Sequence, residues 1–346
     1  MVLDILPLVF DCPRSAVNFP GSGALKMTAN RYTASKSATN TQGLTFIFLH
    51  GIAAHKEQWE PLIEELFFLQ QNKPPHLRVR EAWSLDRLNH GEAAVLNADE
   101  LARNRRKGVP SAESAEGIAA FLNSEHMKGH RVVVVGHSAG SVAGVIATKY
   151  LDRSTSCIVA MILTAPAMVA PEIYHRYLEP TAAKLSEAVL QRPDTWASRE
   201  EAHHWLKARF PWNVWDERVL KLYVEHGLTT TLPNTNVTLK CTKPQESLSF
   251  PDTLSQFIAI EQFQRICHSV PLHIVWGTKD HIFPEIVQGS VSDESQGRVA
   301  TSVTKMVGCG HLMFQDRPGE VARVISRICD GISSVAESRV LTPAKL

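Results

Sequence analysis

Residues 131–141 read Arg-Val-Val-Val-Val-Gly-His-Ser-Ala-Gly-Ser, an apolar β-branched block that runs straight into a serine held between two glycines. Consecutive valines without polar alternation mark a strand buried on both faces, the kind found in parallel sheets covered by helices. From Ser138 the pattern changes to helical periodicity (SAGSVAGVIATKYL, 138–151), so strand, sharp turn and helix follow one another. In a turn that tight, side chains at Gly136 or Gly140 would collide with neighbouring backbone. Ser138 is thereby set at a helix N-terminus, where backbone N–H groups favour developing negative charge.

Working outward, similar short runs recur at 44–51 (LTFIFLHG), 77–86 (LRVREAWSLD), 157–166 (CIVAMILTAP), 271–280 (PLHIVWGTKD) and 298–308 (RVATSVTKMVG). Helix-periodic segments lie between them, among them 57–71 and 111–127. Strands alternating with helices predict an α/β fold with a mostly parallel sheet flanked by helices. The alternation stops once. From Pro171 to Phe250 only helix-like pieces are read, and four of the seven tryptophans (Trp196, Trp205, Trp212, Trp215) fall there. We expect residues 1–170 and 251–346 to form the core, and 171–250 a helical cap over the sheet edge where ligands bind in open α/β folds. An aromatic underside of such a cap makes a pocket for an apolar ligand.

Gly136-His137-Ser138-Ala139-Gly140 matches the G-x-S-x-G nucleophile elbow in its proper strand–turn–helix setting. A serine hydroxyl needs a base to take its proton. His311, in VGCGHLMFQDRPG, follows the last predicted strand and supplies one. The base needs an acid to fix its tautomer. Asp280, in VWGTKDHIFP, closes the preceding strand; Asp293 and Asp316 are weaker candidates, and the turn at Thr164-Ala165-Pro166 offers no carboxylate. Acyl transfer passes through an oxyanion. Its expected donors are the N–H of Ala139 and, from the turn FLHGIAAHKEQW, the N–H of Ile52, with His50 buttressing that loop.

The bulk numbers exclude several classes. A chain of 346 residues with net charge +1 lacks the basic excess of a nucleic-acid surface. Six scattered cysteines without C-x-x-C spacing read as reduced thiols, and no metal-ligand set or nucleotide-binding glycine loop is evident, so no cofactor is expected. The opening MVLDILPLVFDCPRS has no basic n-region and is broken by Asp4 and Pro7, which argues against a signal peptide. No apolar run approaches the length of a membrane span. The last residues, Ala344-Lys345-Leu346, match the small–basic–leucine peroxisomal address and predict an import receptor as partner. The basic run Arg103–Lys107, with Arg105 at its centre, is a candidate landing point for the phosphates of coenzyme A.

FLHG, LDRLNHGEA, GHSAG, GTKD and GCGH occur in the order found in the α/β-hydrolase superfamily, which the chain resembles over nearly all of 40–330. More narrowly, HGIAAHKEQWEPLIEEL, DTWASREEAHHWLKARFPWNVWD and VTLKCTKPQES look like fungal α/β-hydrolases of toxin and secondary-metabolite clusters. Several of these end in a peroxisomal address, and they include an acyl-CoA hydrolase of mycophenolic acid biosynthesis. The resemblance implies the α/β-hydrolase fold and cleavage of an acyl thioester or ester by Ser138, Asp280 and His311, with Ile52 and Ala139 as the oxyanion hole. Ala165 stands where some members carry their acid, so that role falls to Asp280 or the triad is incomplete. A carboxylesterase or lactonase, an acyl transferase or cyclase, and a ligand-binding protein on the same scaffold are the alternative readings. Candidate contacts to a small-molecule acyl substrate are His50, His55, Trp196, Trp205, Trp212 and Arg105.

Overall fold

The computed structural model describes residues 2–15, 23–152, 156–231 and 235–332. Its strands, in chain order, are β1 (Asp4–Asp11), β2 (Lys26–Thr33), β3 (Leu44–Leu49), β4 (Val79–Leu85), β5 (Arg131–His137), β6 (Ile158–Thr164), β7 (Thr195–Trp196), β8 (Leu228–Thr230), β9 (Val237–Leu239), β10 (Leu272–Gly277) and β11 (Ser302–Met306). Eight of them form one sheet in the order β1-β2-β4-β3-β5-β6-β10-β11. From β4 to β11 every neighbouring pair is parallel. The six runs read from sequence each contain one of these six strands. All six residues of β3 and all seven of β5 are buried, as unbroken apolar strands between two helical layers must be.

Helices cover the sheet. Glu60–Gln70 packs along Pro318–Cys329, while Ser111–Leu122 and Thr253–Ile266 both pack on Ala139–Ala147, the helix that starts beside Ser138. Two features went unread. The chain opens with an antiparallel hairpin, Asp4 opposite Thr33 through Asp11 opposite Lys26, which adds β1 and β2 to the sheet. Pro7 looked like a breaker, but it lies in the edge strand, where a missing N–H is tolerated. The hairpin is anchored by Phe10, whose ring meets the edge of Phe121 at 5.5 Å, and Phe121 in turn meets Trp83 of β4 at 5.2 Å.

Between β6 and β10 the helices Glu179–Gln191, Arg199–Lys207 and Glu217–Gly227 are joined by a small antiparallel sheet, β7-β9-β8. The expectation of helices alone is corrected here: strands of two or three residues are too short to show a period of two. This insertion has an apolar cluster of its own, with Trp196, Leu206, Trp215, Val219, Leu220 and Tyr223 buried in it. Its first helical stretch widens into a π-turn at Tyr174–Leu178, just before Pro180. Proline lacks an N–H and its ring crowds the carbonyl four residues back, and the wider turn absorbs both.

Phe121 is fully buried at the join between hairpin and sheet. Phe121→Ala is expected to lower unfolding free energy by about 3–5 kcal/mol, measured by urea titration. A loss under 1 kcal/mol would mean that the hairpin is not docked through this ring.

Candidate active site

β5 ends on His137, and Ser138 takes φ 51° and ψ −119°, a left-handed backbone that costs energy for a residue with a side chain. The turn is over-determined. Ser138 N–H donates to the Thr164 carbonyl at 3.0 Å, and the Ser138 carbonyl accepts from Ser141 N–H at 3.0 Å and Ala167 N–H at 3.3 Å. A Cβ on Gly140 would lie 2.1 Å from the Leu49 carbonyl oxygen, so only glycine lets the helix start pass the end of β3.

His311 and Asp280 arrive on two loops tied to each other. Lys279 N–H donates to the Cys309 carbonyl at 2.8 Å, and Gly308 N–H to Thr278 Oγ1 at 2.9 Å. The approach is close enough that a Cβ on Gly277 would stand 2.3 Å from the Cys309 oxygen. Three side chains then align. Ser138 Oγ lies 3.0 Å from His311 Nε2, and His311 Nδ1 lies 3.1 Å from Asp280 Oδ2. Asp280 Oδ1 accepts the N–H groups of Ile282 (2.9 Å) and Phe283 (3.0 Å). Burial opposes ionisation of Asp280, but the neighbouring His311 and these two donors outweigh it and hold the carboxyl below its ordinary range. Asp293 instead caps a surface turn by accepting from Ser295 N–H, and Asp316 pairs with Arg317.

His137, the residue before Ser138, was not singled out in the sequence. Its Nε2–H donates to the His311 carbonyl at 2.9 Å, and burial drives its pKa down to about 3, so it stays a neutral donor. Behind it Phe314 meets its ring at 5.0 Å and stacks on Trp59 at 3.9 Å, an aromatic column under the site.

Ile52 and Ala139 both line the cavity at Ser138. The next N–H, of Ala53, is taken by His90 Nε2 at 3.2 Å. Among the described residues, no backbone carbonyl engages the N–H of Ile52 or Ala139. The loop is fixed from behind. His50 Nδ1–H donates to the Gly51 carbonyl (2.7 Å) and its Nε2 accepts Arg87 N–H (3.1 Å). Asp86, wholly buried, accepts from Thr28 Oγ1 (2.7 Å), Lys56 N–H (2.8 Å), Glu92 N–H (3.0 Å) and Lys56 Nζ (3.2 Å). Lys56 Nζ also reaches Glu57 Oε1 at 2.5 Å, and His55 Nδ1–H reaches Glu57 Oε2 at 2.9 Å.

The cavity above Ser138 measures about 1140 Å³, and the insertion gives it a broad apolar wall, with Trp205, Trp212, Trp215, Tyr174, Leu178 and Leu185 on it. Of the expected substrate contacts, Trp205 and Trp212 are on this wall. Four others are corrected. His50 and His55 are buried behind the loop, which they support rather than line, and Trp196 packs inside the insertion's own core. Arg105 is 3% exposed and held by Glu113 (2.8 Å) and Glu100 (3.0 Å), so its charge is spent within the fold. The basic run hid this because its carboxylate partners are five residues before and eight after Arg105 in the chain.

A match to the Alpha/beta hydrolase family covers residues 46–324, and the chain belongs to that family. The type I acyl-CoA thioesterase mpaH of Penicillium brevicompactum is 28% identical over 193 residues, which span 53% of this chain and 41% of that protein. The matched stretch is thus less than half of that thioesterase's length. Among solved structures, the peroxisomal α/β-hydrolase Lpx1 of Saccharomyces cerevisiae superposes with a TM-score of 0.74 at 18% identity, over 99% of this chain and 91% of that one. The thioesterase domain of the curacin biosynthetic pathway gives 0.60 at 14% identity, over 94% and 99%.

The buried charge cluster behind the loop makes a pH prediction. Burial would raise the Glu57 carboxyl, but His55 and Lys56 bring it from 4.5 down to about 2. A carboxyl depressed on folding stabilises fully above its unfolded pKa and loses that contribution as pH falls through the folded value. Unfolding free energy should therefore decline between pH 4.5 and pH 2. In Glu57→Gln that decline should shrink by about 3 kcal/mol, measured by urea titration at each pH. An unchanged slope would remove Glu57 from the acid response.

Proposed function

We propose that this protein is a serine hydrolase that cleaves a bulky apolar acyl group from its coenzyme A thioester through an acyl-enzyme. The observation that carries the reading is Ser138 Oγ at 3.0 Å from His311 Nε2, at the floor of a large apolar cavity. The thioester, rather than an oxygen ester, is favoured by the likeness to an acyl-CoA thioesterase over half of the chain. Fungal secondary metabolism as the setting rests on the segment resemblances alone.

In this reading Ser138 Oγ attacks the thioester carbonyl carbon while its proton passes to His311 Nε2. Asp280 accepts from His311 Nδ1–H, which fixes the tautomer that leaves Nε2 free and stabilises the imidazolium. The oxyanion is held by the N–H groups of Ile52 and Ala139. His311 then returns the proton to the departing sulfur, and the C–S bond breaks to release the coenzyme A thiol. Water, deprotonated by His311, attacks the acyl-serine; the acid leaves and the proton returns to Ser138 Oγ. Peroxisomal residence belongs to the same proposal: Ala344, Lys345 and Leu346 lie outside the described residues and match the import address in sequence.

Release of free thiol from a panel of short, long and aromatic acyl-CoAs, run beside p-nitrophenyl esters, tests the chemistry. Ser138→Ala should abolish thiol release, and Asp280→Asn should lower kcat by about 10⁴-fold. Thiol release that survives Ser138→Ala would overturn the mechanism. Serine-dependent ester cleavage with inert acyl-CoAs would make the protein a carboxylesterase or lactonase.

A further inference from the structure

Apolar side chains supply much of the cavity wall, and the charged groups on it include one buried ion pair. Arg192, which follows the helix Glu179–Gln191, donates through Nη2 to Glu246 Oε2 of the helix Lys243–Ser247, and both side chains border the cavity. The Glu246 side chain is 2% exposed and that of Arg192 13%. The guanidinium lies over the ring of Trp212, 5.8 Å from its centroid, on the same wall.

Taking two charges out of water costs more than their attraction returns unless other groups complete the geometry. A role as a staple does not explain the pair, because the two helices are already fastened. Ser186 Oγ meets Ser247 Oγ at 2.7 Å, and Lys243 Nζ donates to the carbonyls of Leu190 (3.1 Å) and Arg192 (3.0 Å). Guanidinium has five N–H donors in a fixed fork. Among the described residues, Glu246 is the acceptor for the Arg192 side chain, through Nη2, so this cavity-lining guanidinium has donors left for a further acceptor. The pair is neutral as a whole, so a neutral oxygen can accept from Arg192 without adding charge beside it, whereas a carboxylate there would stand against the buried Glu246 carboxylate.

We propose that Arg192, braced by Glu246 and Trp212, is a specificity site that hydrogen-bonds a neutral oxygen acceptor, such as a ketone or hydroxyl, carried on the acyl chain apart from the reacting carbonyl. The proposal deepens the acyl-hydrolase reading and rests on it for the name of the ligand, but its test reads binding and needs no turnover.

The test uses the full-length Ser138→Ala protein and free acids of one length: dodecanoic acid, a positional series of mono-keto dodecanoic acids, and dodecanedioic acid. Kd is read from tryptophan fluorescence, Trp212 being the reporter beside Arg192. At least one keto position should bind about tenfold or more tighter than dodecanoic acid, the range expected of a hydrogen bond to a charged donor. Arg192→Leu should bring that ratio below threefold while leaving dodecanoic acid bound. Arg192→Leu/Glu246→Leu, in which no charge is left unpaired, should do the same, with thermal midpoints checking that each variant is folded. Three results overturn the proposal: no keto position preferred, a preference that persists in both variants, or a gain shown by the diacid alone. Failure of the acyl-hydrolase reading would appear separately, as thioester and ester turnover absent with Ser138 and Arg192 intact.

Discussion

The arrangement hangs on one buried carboxylate. Asp86 stands at the end of β4, and its hydrogen bonds run to β2 through Thr28, to the loop after β3 through both the backbone and side chain of Lys56, and to the helix Gly91–Leu96 through Glu92 N–H. Burial alone would push its pKa up; the Lys56 ammonium and the hydrogen bonds reverse that and hold it well below the carboxylate range. A carboxylate so placed cannot be satisfied by water, so each partner has to remain where it is. The loop that carries Ile52 is therefore held by a charge rather than by packing alone.

Against that rigid side, the opposite wall of the cavity is made by an insertion with different physics. Its tryptophans form a chain of ring contacts, Trp196 to Trp205 at 5.9 Å, Trp205 to Trp212 at 5.9 Å and Trp212 to Trp215 at 6.4 Å, with Arg209 over Trp205. Flat rings give a wide apolar face at low entropic cost. Polar anchoring on the loop side and aromatic surface on the other give the cavity two unlike walls, one fixed by buried charge and the other by packed rings.

What the sequence disclosed follows from how local each signal is. The elbow at 136–140 is a single unbroken stretch in which strand, turn and helix are each visible, and the run of valines before it admits only a buried strand. Asp280 and His311 were legible because both follow apolar runs. Arg105 misled, since a basic cluster looks the same whether its partners are water or Glu113. The β1–β2 hairpin was missed because Pro7 and the polar residues of Lys26–Thr33 obscure alternation on an edge. Asp86 sat in plain view in LDRLNHGEA, but a carboxylate after a strand looks like a solvated turn until Thr28, Lys56 and Glu92 close round it. Arg192 and Glu246 gave no signal at all: they are 54 residues apart, and only the insertion's fold makes them neighbours.

The insertion's separate apolar core has an evolutionary consequence. Residues such as Val219, Leu220 and Leu206 pack with one another and not with the sheet, so exchanges among them draw on a different reserve of stability from exchanges in β3 or β5. Drift in that core can remodel the cavity wall while the elbow keeps its strained turn. Leu312, next to His311 in the chain, packs against the same core, so a lineage that reshapes its pocket must do so without disturbing the neighbour of its proposed base.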